Sequence, residues 1–424
     1  MVLEAFTRTR SLGIAAGIAV LAAAFSGSLF AQPDVPMAKP ESVGMSTERL
    51  QRVHKFMQEY IDTSQIAGSV TLIARKGKVV YYDAQGWRYK EENAPMPKDA
   101  IFSLMSMTKP IVSTALMMLW EEGKFMLDDP ISKWLPSYSK MTVTDVSGRV
   151  PAVRPVTVRN ILTHTSGLSL EPGPRPPTLL EEIEKSSGRP LAFQPGERWQ
   201  YGASTDFVAA LVEKISGMTV DEFLRQRIFE PLGVRDTYYN IPKEKVDRVA
   251  AVYKPDQDGK IVLARKPEYH EPTTYFPGVA GLNGTAADYF RFSQMILNGG
   301  EYEGHRLLGR MTVDMMITNQ IGGGPNKKVY IRGDGYGFGL GFAVLTDPSK
   351  APDALSMGTC TWGGADGTLF WIDPVEQLIG IMMIQISPYS HFNIRPLFSV
   401  VVSQAITDSL AGQRPNVMGY DTPK

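Results

Sequence analysis

Ser106-Met107-Thr108-Lys109 is the stretch around which the chain is organised. A serine alcohol is a poor nucleophile at neutral pH because its proton is held tightly, so catalysis needs a base within hydrogen-bond reach. Ser-x-x-Lys supplies one locally. Where the tetrapeptide opens a helix, residues three apart lie on one face, and hydroxyl and ammonium point into the same cleft. The flanks predict that helix: Pro110 is tolerated in a first turn, and the apolar run Ile111 to Trp120 follows. The amides of such a turn concentrate positive potential where an oxyanion forms. Alone, the tetrapeptide is a weak signal, and a solvated serine and lysine near a helix start fit it as well. Its company along the chain decides.

The chain has 424 residues, 43% hydrophobic and 21% charged, which is ordinary globular material and enough for one large domain or two moderate ones. Its formal net charge of zero argues against nucleic acid or an acidic membrane surface as partner. Cys360 is the only cysteine, so an intramolecular disulfide is impossible. The histidines (His54, His164, His270, His305, His391) lie far apart, and none pairs at metal-ligand spacing, so no metal site is expected.

Residues 1–31 read as an export signal. Arg8 and Arg10 give a basic start despite Glu4, Leu12 to Phe25 is an uncharged apolar run, and small residues lead to a cleavage point after Ala31, although Leu29 is a mediocre residue two before it. The run is short for a membrane span. The alternatives are an uncleaved anchor or a disordered tail. No cysteine follows the run and Thr9 separates the two arginines, which excludes a lipoprotein and a twin-arginine signal.

After the Pro-rich stretch Gln32 to Pro40, Ser46 is an N-cap, with Leu50, Val53, Met57, Tyr60 and Ile61 at helical spacing. Gly68 to Arg75 and Val79 to Gly86 read as a hairpin around Lys76-Gly77. From Ser103 helical patterns dominate as far as about Thr237: Pro110 to Glu122, Val158 to Leu162, Leu179 to Lys185, Thr205 to Ile215 and Val220 to Ile228. A further helix follows Ala286 and ends at Asn298-Gly299-Gly300. Strand patterns return at Gly337 to Leu345, Thr368 to Ile372 and Leu378 to Ile386, and a last helix starts near Pro396 with Phe398, Val401, Val402, Ala405 and Leu410 as its apolar side. The fold class that follows is α/β (α+β): an antiparallel sheet assembled from both ends of the chain, flanked by N- and C-terminal helices. A helical subdomain, roughly residues 103–237, is inserted into a domain spanning 32–424, which creates a cleft at the boundary.

Two more stretches carry chemistry beside Ser106 and Lys109. Tyr201-Gly202-Ala203 stands at the mouth of a helix, where a tyrosine, ordinarily titrating near 10, can act as base if a cation lies close. A lysine that stays protonated stabilises phenolate, and one that loses its proton is itself the base; the sequence leaves both open. Trp362-Gly363-Gly364-Ala365 runs into Gly367-Thr368-Leu369, and consecutive glycines at a strand start let a backbone approach a ligand. The amide of Ala365 is the expected second oxyanion donor beside that of Ser106. Read singly, Tyr201 is a core or loop aromatic and the glycines are a turn entering a strand.

Taken in order, Ser106-x-x-Lys109, Tyr201 and Trp362-Gly363-Gly364 resemble the class C β-lactamase-like serine hydrolases, a family that includes penicillin-binding carboxypeptidases and, closest to this chain, the family VIII carboxylesterases. Leu127-Asp128-Asp129-Pro130, Val156 to Leu168, Pro190 to Tyr201 and Gly278 to Asp288 resemble the family as well, so the likeness covers roughly Pro40 to Leu410. It implies a β-lactamase/transpeptidase-like fold with the site between a sheet domain and a helical one, and no cofactor. Two departures stand out. Lys-Thr-Gly is the usual third motif, its lysine holding a substrate carboxylate, and Trp362 takes that place; Tyr-x-Asn is the usual second motif, and Ala203 replaces the asparagine. Both changes fit a neutral ester better than a charged amide, with Met105, Met107, Trp199, Tyr275 and Phe276 as candidate pocket walls, each of which reads more readily as core. No strict Gly-x-Ser-x-Gly elbow occurs; the nearest stretch, Ala354-Leu355-Ser356-Met357-Gly358, lacks the first glycine. His164 is read as structural, hydrogen-bonded within its loop.

The expectation is an exported serine carboxylesterase, periplasmic or secreted, acting on a small-molecule ester without nucleic acid and without stable membrane insertion after cleavage. Its alternatives on the same site are a β-lactamase, a D-amino-peptide hydrolase or an acyltransferase. A non-catalytic binding module is the alternative of a different class, and the intact Ser106, Lys109 and Tyr201 speak against it. The mature protein is expected to begin near Gln32 and to lie outside the cytoplasm. N-terminal sequencing and fractionation of the native host check this, and an intact Met1-containing chain in the cytoplasmic fraction refutes it.

Overall fold

The computed structural model describes residues 35–410, apart from Ser147, His391 and Ser409. The export segment read from residues 1–31 lies outside the described residues.

Helix α1 (Thr47–Asp62) is capped as expected: the Ser46 side chain accepts from the Arg49 amide, and Leu50, Val53 and Met57 are buried. Strands β1 (Gly68–Arg75) and β2 (Lys78–Tyr89) form the hairpin around Lys76-Gly77, and β3 (Ala94–Pro95) follows. A short strand β4 (Phe102–Ser103) leads into the central helix α2 (Thr108–Glu121), whose residues from Thr108 to Leu119 are all buried. A helix apolar all round belongs inside the fold.

The stretch after α2 is not all helix. The hairpin β5 (Thr142–Asp145) and β6 (Gly148–Pro151) interrupts it before α3 (Val158–Leu162), α4 (Leu179–Lys185) and α5 (Ser204–Ser216). Helix α6 (Val220–Leu224) is shorter than expected and continues through one π-helical turn, Arg225–Phe229, into α7 (Glu230–Leu232). A hairpin of β7 (Val252–Pro255) and β8 (Ile261–Arg265) follows. Strand β9 (Asn283–Gly284) then pairs antiparallel with β4 and leads into α8 (Ala286–Leu297), the small pair β10 (Glu301–Tyr302) and β11 (His305–Arg306), and α9 (Arg310–Met316).

The C-terminal strands are β12 (Tyr336–Phe338), β13 (Ala343–Leu345), β14 (Cys360–Gly363), β15 (Leu369–Asp373) and β16 (Leu378–Met383), followed by α10 (Ile394–Ser403). The single strand expected over Gly337 to Leu345 is thus two, joined by a turn. A Cβ on Gly339 would lie 2.1 Å from the Met316 carbonyl oxygen, and Gly341 has φ +97° against Ser113. These glycines bend the chain where helices press on it. The last helix starts two residues before Pro396, which sits in its first turn.

The eight strands form one antiparallel sheet in the order β12-β13-β14-β15-β16-β1-β2-β3. Its halves, from the two ends of the chain, meet at β1 and β16, with Val70 opposite Met383 and Arg75 opposite Leu378. Neighbouring residues of β15 separate the layers, because successive side chains of a strand face opposite ways. Phe370 meets Tyr289 of α8 at 4.8 Å, whereas Trp371 meets Phe398 of α10 at 5.1 Å. Helices α1 and α10 pack together on the second face.

Arg75, fully buried at the end of β1, joins the ends of the chain. Its guanidinium reaches Glu376 (2.7 Å), Asp408 (2.5 Å) and the carbonyls of Val43 (3.0 Å) and Gly44 (2.8 Å). Removing one side of a buried ion pair strands the rest, at about 3 kcal/mol and more where the partners are dry. Arg75→Ala is therefore expected to lower the unfolding free energy by roughly 3 kcal/mol, read by urea denaturation. A loss below ~0.5 kcal/mol would show that solvent satisfies the freed groups.

Candidate active site

Ser106 does not lie inside α2 but in the 3-10 turn Met105–Met107 that runs into it. The turn is held on three sides. The Leu104 amide donates to Leu282 O at 2.9 Å, the Leu282 amide to Thr108 Oγ1 at 3.2 Å, and the Tyr289 hydroxyl to Met107 O at 3.1 Å. Met105, directly before the serine, has φ +47°, a conformation that L-residues avoid and that costs roughly 1–2 kcal/mol. Such strain persists where its surroundings fix it, and it clusters at reacting sites.

The three expected side chains meet. Lys109 Nζ lies 3.1 Å from Ser106 Oγ, and the Tyr201 hydroxyl lies 2.6 Å from the same oxygen. Lys109 is buried, stands over the Tyr201 ring at 4.6 Å and donates to the Val279 carbonyl at 2.7 Å. Tyr201 reaches this point because the chain before α5 is anchored: the Trp199 amide donates to Asn326 O and the Gln200 amide to His164 O, both at 2.9 Å.

Trp362 turns towards the same place. It is buried, its ring lies 5.2 Å from that of Tyr201, and its Nε1 donates to the Tyr201 hydroxyl at 3.4 Å. The indole area therefore covers Tyr201 and Phe338 rather than lining an open wall. Met107, Trp199, Tyr275 and Phe276 are likewise core: Phe276 packs on Tyr239 at 5.2 Å, and the Tyr275 hydroxyl is bound to Glu182. Of the candidate walls only Met105 is half-exposed, beside the serine.

Gly363 ends β14, and Gly364 begins a turn, so the glycines close a strand rather than open one. Their neighbours explain them. A Cβ on Gly363 would lie 2.8 Å from the Arg395 guanidinium carbon; one on Gly364 would lie 2.3 Å from Thr368 Oγ1 and 2.5 Å from Leu104 O. The second approach brings the turn against the residue two before Ser106. The turn is closed by the Gly364 amide on Thr368 O (2.8 Å) and the Gly367 amide on Gly364 O (3.1 Å). Ala365 at its tip is exposed. Neither its amide nor that of Ser106 makes a backbone hydrogen bond among the described residues, which leaves both free for an oxyanion.

Arg395 is the cation that sequence reading missed. It is buried in α10, donates to Gly364 O and to Thr368 O (2.7 Å), and stacks on Tyr389 with 3.5 Å to the ring centroid. Arg395 thus stands at the end of β14 beside Gly363, close enough for Tyr201 to act on it electrostatically, and burial pulls its guanidinium down to about 10.

His164 differs from its expectation in its hydrogen bonding. Its carbonyl accepts from the Gln200 amide of the segment before α5 rather than from within its own loop, and Nδ1 has no partner among the described residues. The ring packs against Tyr201 (5.0 Å), Phe338 (5.3 Å) and Trp199 (6.1 Å). Burial, with the Lys109 charge adding to it, pushes its imidazole down to about 3, so it is neutral at physiological pH.

A sheet packed by helices on both faces, with a serine held between a lysine and a tyrosine beside the last residues of one strand, defines a serine hydrolase. The chain belongs to the β-lactamase family, whose model, described as "Beta-lactamase", matches residues 53–397. Esterase EstB of Burkholderia gladioli is 30% identical over 76% of this chain and 86% of its own length. Lovastatin esterase of Penicillium rubens is 29% identical over 77% of this chain and 91% of its own. Among solved structures, EstCE1, described as a hydrolase with promiscuous acyltransferase activity, aligns with a TM-score of 0.72 and 25% identity over 85% of this chain and 98% of its own.

With both proton-bearing groups on one oxygen, Lys109 and Tyr201 are expected to act as a unit. Lys109→Ala and Tyr201→Phe should each lower turnover by roughly 10³-fold, and the double variant should lose little more, because members of a proton-transfer unit are strongly non-additive. Steady-state kinetics of the three variants check this. Fully multiplicative losses would separate the two residues.

Proposed function

We propose that this protein is a carboxylesterase that hydrolyses neutral short-chain esters through an acyl-enzyme on Ser106. The observation that carries the proposal is Ser106 Oγ set between Lys109 Nζ and the Tyr201 hydroxyl at 3.1 and 2.6 Å. In this reading Ser106 attacks the ester carbonyl while its proton passes to the Tyr201–Lys109 pair. The free amides of Ser106 and Ala365 take the oxyanion, a contribution of roughly 3 kcal/mol per donor. The tetrahedral species collapses, the alcohol leaves with the proton, and the acyl group stays on Oγ. Water, deprotonated by the same pair, then releases the acid and regenerates Ser106. An acyltransferase would differ only in that a second alcohol attacks the acyl-enzyme. Export to the periplasm or medium is part of the proposal and is motivated by the signal-like residues 1–31.

The preference for neutral esters rests on the charges near Ser106. A carboxylate buried without a partner costs several kcal/mol, whereas a methylene gained against apolar wall returns about 0.8 kcal/mol. Lys109 is engaged with Ser106 and Val279, Trp362 stands where the resembled family carries lysine, and Arg395 is buried and donates to two backbone carbonyls of the turn after β14. The charge cost therefore outweighs a few carbons of chain. The relatives named as esterases support the same reading.

Both kcat/KM values, for p-nitrophenyl butyrate and for nitrocefin, are to be measured on one preparation, with Ser106→Ala as the control that abolishes turnover without unfolding. The ester is expected to be hydrolysed well and nitrocefin poorly or not at all, and Trp362→Lys should shift the ratio towards nitrocefin. Nitrocefin turnover equal to or above the ester's would replace this reading with a β-lactamase.

A further inference from the structure

Lys109 is a buried ammonium with no carboxylate in ion-pair contact among the described residues. Such a charge is held in a fold only by good acceptors or by a counter-charge nearby. One peptide group supplies the link. The Val279 carbonyl receives Lys109 Nζ at 2.7 Å, and the Val279 amide donates to Asp206 Oδ1 at 3.0 Å. Asp206 lies in the first turn of α5, five residues after Tyr201, and is buried. The loop that carries Val279 is pressed onto that turn: a Cβ on Gly278 would lie 2.0 Å from the Thr205 carbonyl oxygen, and Tyr239 donates its hydroxyl to Pro277 O at 2.9 Å.

We propose that Asp206 is a positioning residue for Lys109: it fastens Val279, whose carbonyl takes the ammonium, and it provides the buried counter-charge that keeps Nζ on Ser106. This deepens the reading of Ser106, Lys109 and Tyr201 as one reacting unit and rests on it.

A plain structural role predicts something else. An acidic residue in a first helical turn usually favours its own helix, so its loss lowers stability and leaves turnover alone. The oxygen of Asp206 goes instead to a different segment. Burial raises the Asp206 carboxyl to about 6, with the Val279 amide and the Lys109 charge pulling down and Glu182 pushing up. A carboxyl whose folded value is raised gives stability below its unfolded value, and that stability is lost as pH rises through the folded one. Ionised Asp206 therefore costs stability at neutral pH, a cost that is expected where a charge serves the site. The other titratable groups facing it are Lys109 from α2, Glu182 from α4, Tyr239 from the segment after α7 and Tyr275 from the loop before Val279. Arg175 stands over the Tyr275 ring, and neutral His164 and Tyr201 face Lys109.

The test is Asp206→Asn, which keeps an acceptor for the Val279 amide and removes the charge. It is read by the rate of Ser106 labelling with a fluorophosphonate, by kcat and KM for p-nitrophenyl butyrate, and by melting temperature. At pH 7.5 the variant is expected to label and turn over at least ~10-fold more slowly, with KM within about threefold and an unchanged or higher melting temperature. Wild-type labelling should fall as pH is lowered through about 6, and the variant should lack that limb. Labelling and kcat within about twofold of wild type overturn the proposal. So does wild-type labelling that stays flat between pH 5 and 7, a measurement that needs no folded variant. Labelling requires an activated Ser106 but no ester, so a wild type that labels and hydrolyses no ester sinks the carboxylesterase reading while the role of Asp206 is still decided.

Discussion

A buried lysine three residues after a serine is the constraint on which this site depends. The Lys109 amine is held in a dry setting, so its donors need acceptors, and each acceptor comes from a different part of the fold. Ser106 is local. Tyr201 offers its ring face from the mouth of α5, and Val279 offers its carbonyl from the loop ahead of β9. These segments are brought to one point because α2 runs through the centre with every side buried and α5 packs along it. The pair β4–β9 then fixes the loop before β9 beside the turn that carries Ser106. The sheet contributes Trp362 and the turn after β14, which lies against Leu104 only because residue 364 has no side chain.

What could be read from the sequence was whatever is periodic or local. The helices Val158–Leu162 and Leu179–Lys185, the cap of α1 by Ser46 and the hairpin at Lys76-Gly77 all follow from apolar spacing and turn residues a few positions apart. Ser106-x-x-Lys109 was legible for the same reason. The misreadings have non-local causes. Gly337 to Leu345 carries a strand pattern throughout, yet it bends at Gly339 and Gly341 because Met316 and Ser113, distant in the chain, stand against them. Asp206, Val279 and Arg395 act across long sequence separations on the residues they hold, and no spacing rule reaches that far. A single hint was present: an aspartate directly before the apolar run Phe207 to Val212 of α5, a place where a charge is costly without a purpose.

The aromatic group behind Tyr201 supplies rigidity and electrostatic definition together. Trp199 stacks nearly parallel to Tyr201 (17°), His164 and Trp362 contact the same ring, and Phe338 packs behind all three. Phenol rings held this way cannot swing, which is what a proton-transfer group needs, since misplacement of an ångström costs orders of magnitude in rate. The only polar atom of this group that points at the Tyr201 hydroxyl is the Trp362 indole nitrogen. An indole N–H donates without carrying charge, so it favours electron density on the tyrosine oxygen and offers nothing to a carboxylate. Substituting tryptophan for lysine at this position therefore changes two things at once: it removes a cation from the cleft, and it gives the tyrosine a neutral donor.

The turn after β14, proposed here to hold the oxyanion, is itself held by a residue of α10. The turn from Gly364 to Thr368 is fixed by Arg395 of α10 through the carbonyls of both its ends. A carbonyl drawn back towards a guanidinium turns its peptide so that amides in the turn face forward, and Ala365 at the tip is the exposed one. Arg395 thus acts on the geometry of the turn: two of its bonds go to backbone carbonyls and its face stacks on Tyr389, while its Nε has no hydrogen-bond partner among the described residues. Polarity in this site is consequently directed inward, towards holding Ser106, Lys109 and the turn. On the proposed reading, what remains for a substrate is two unpaired amides and the Ser106 hydroxyl, which would suit an uncharged acyl group better than a charged one.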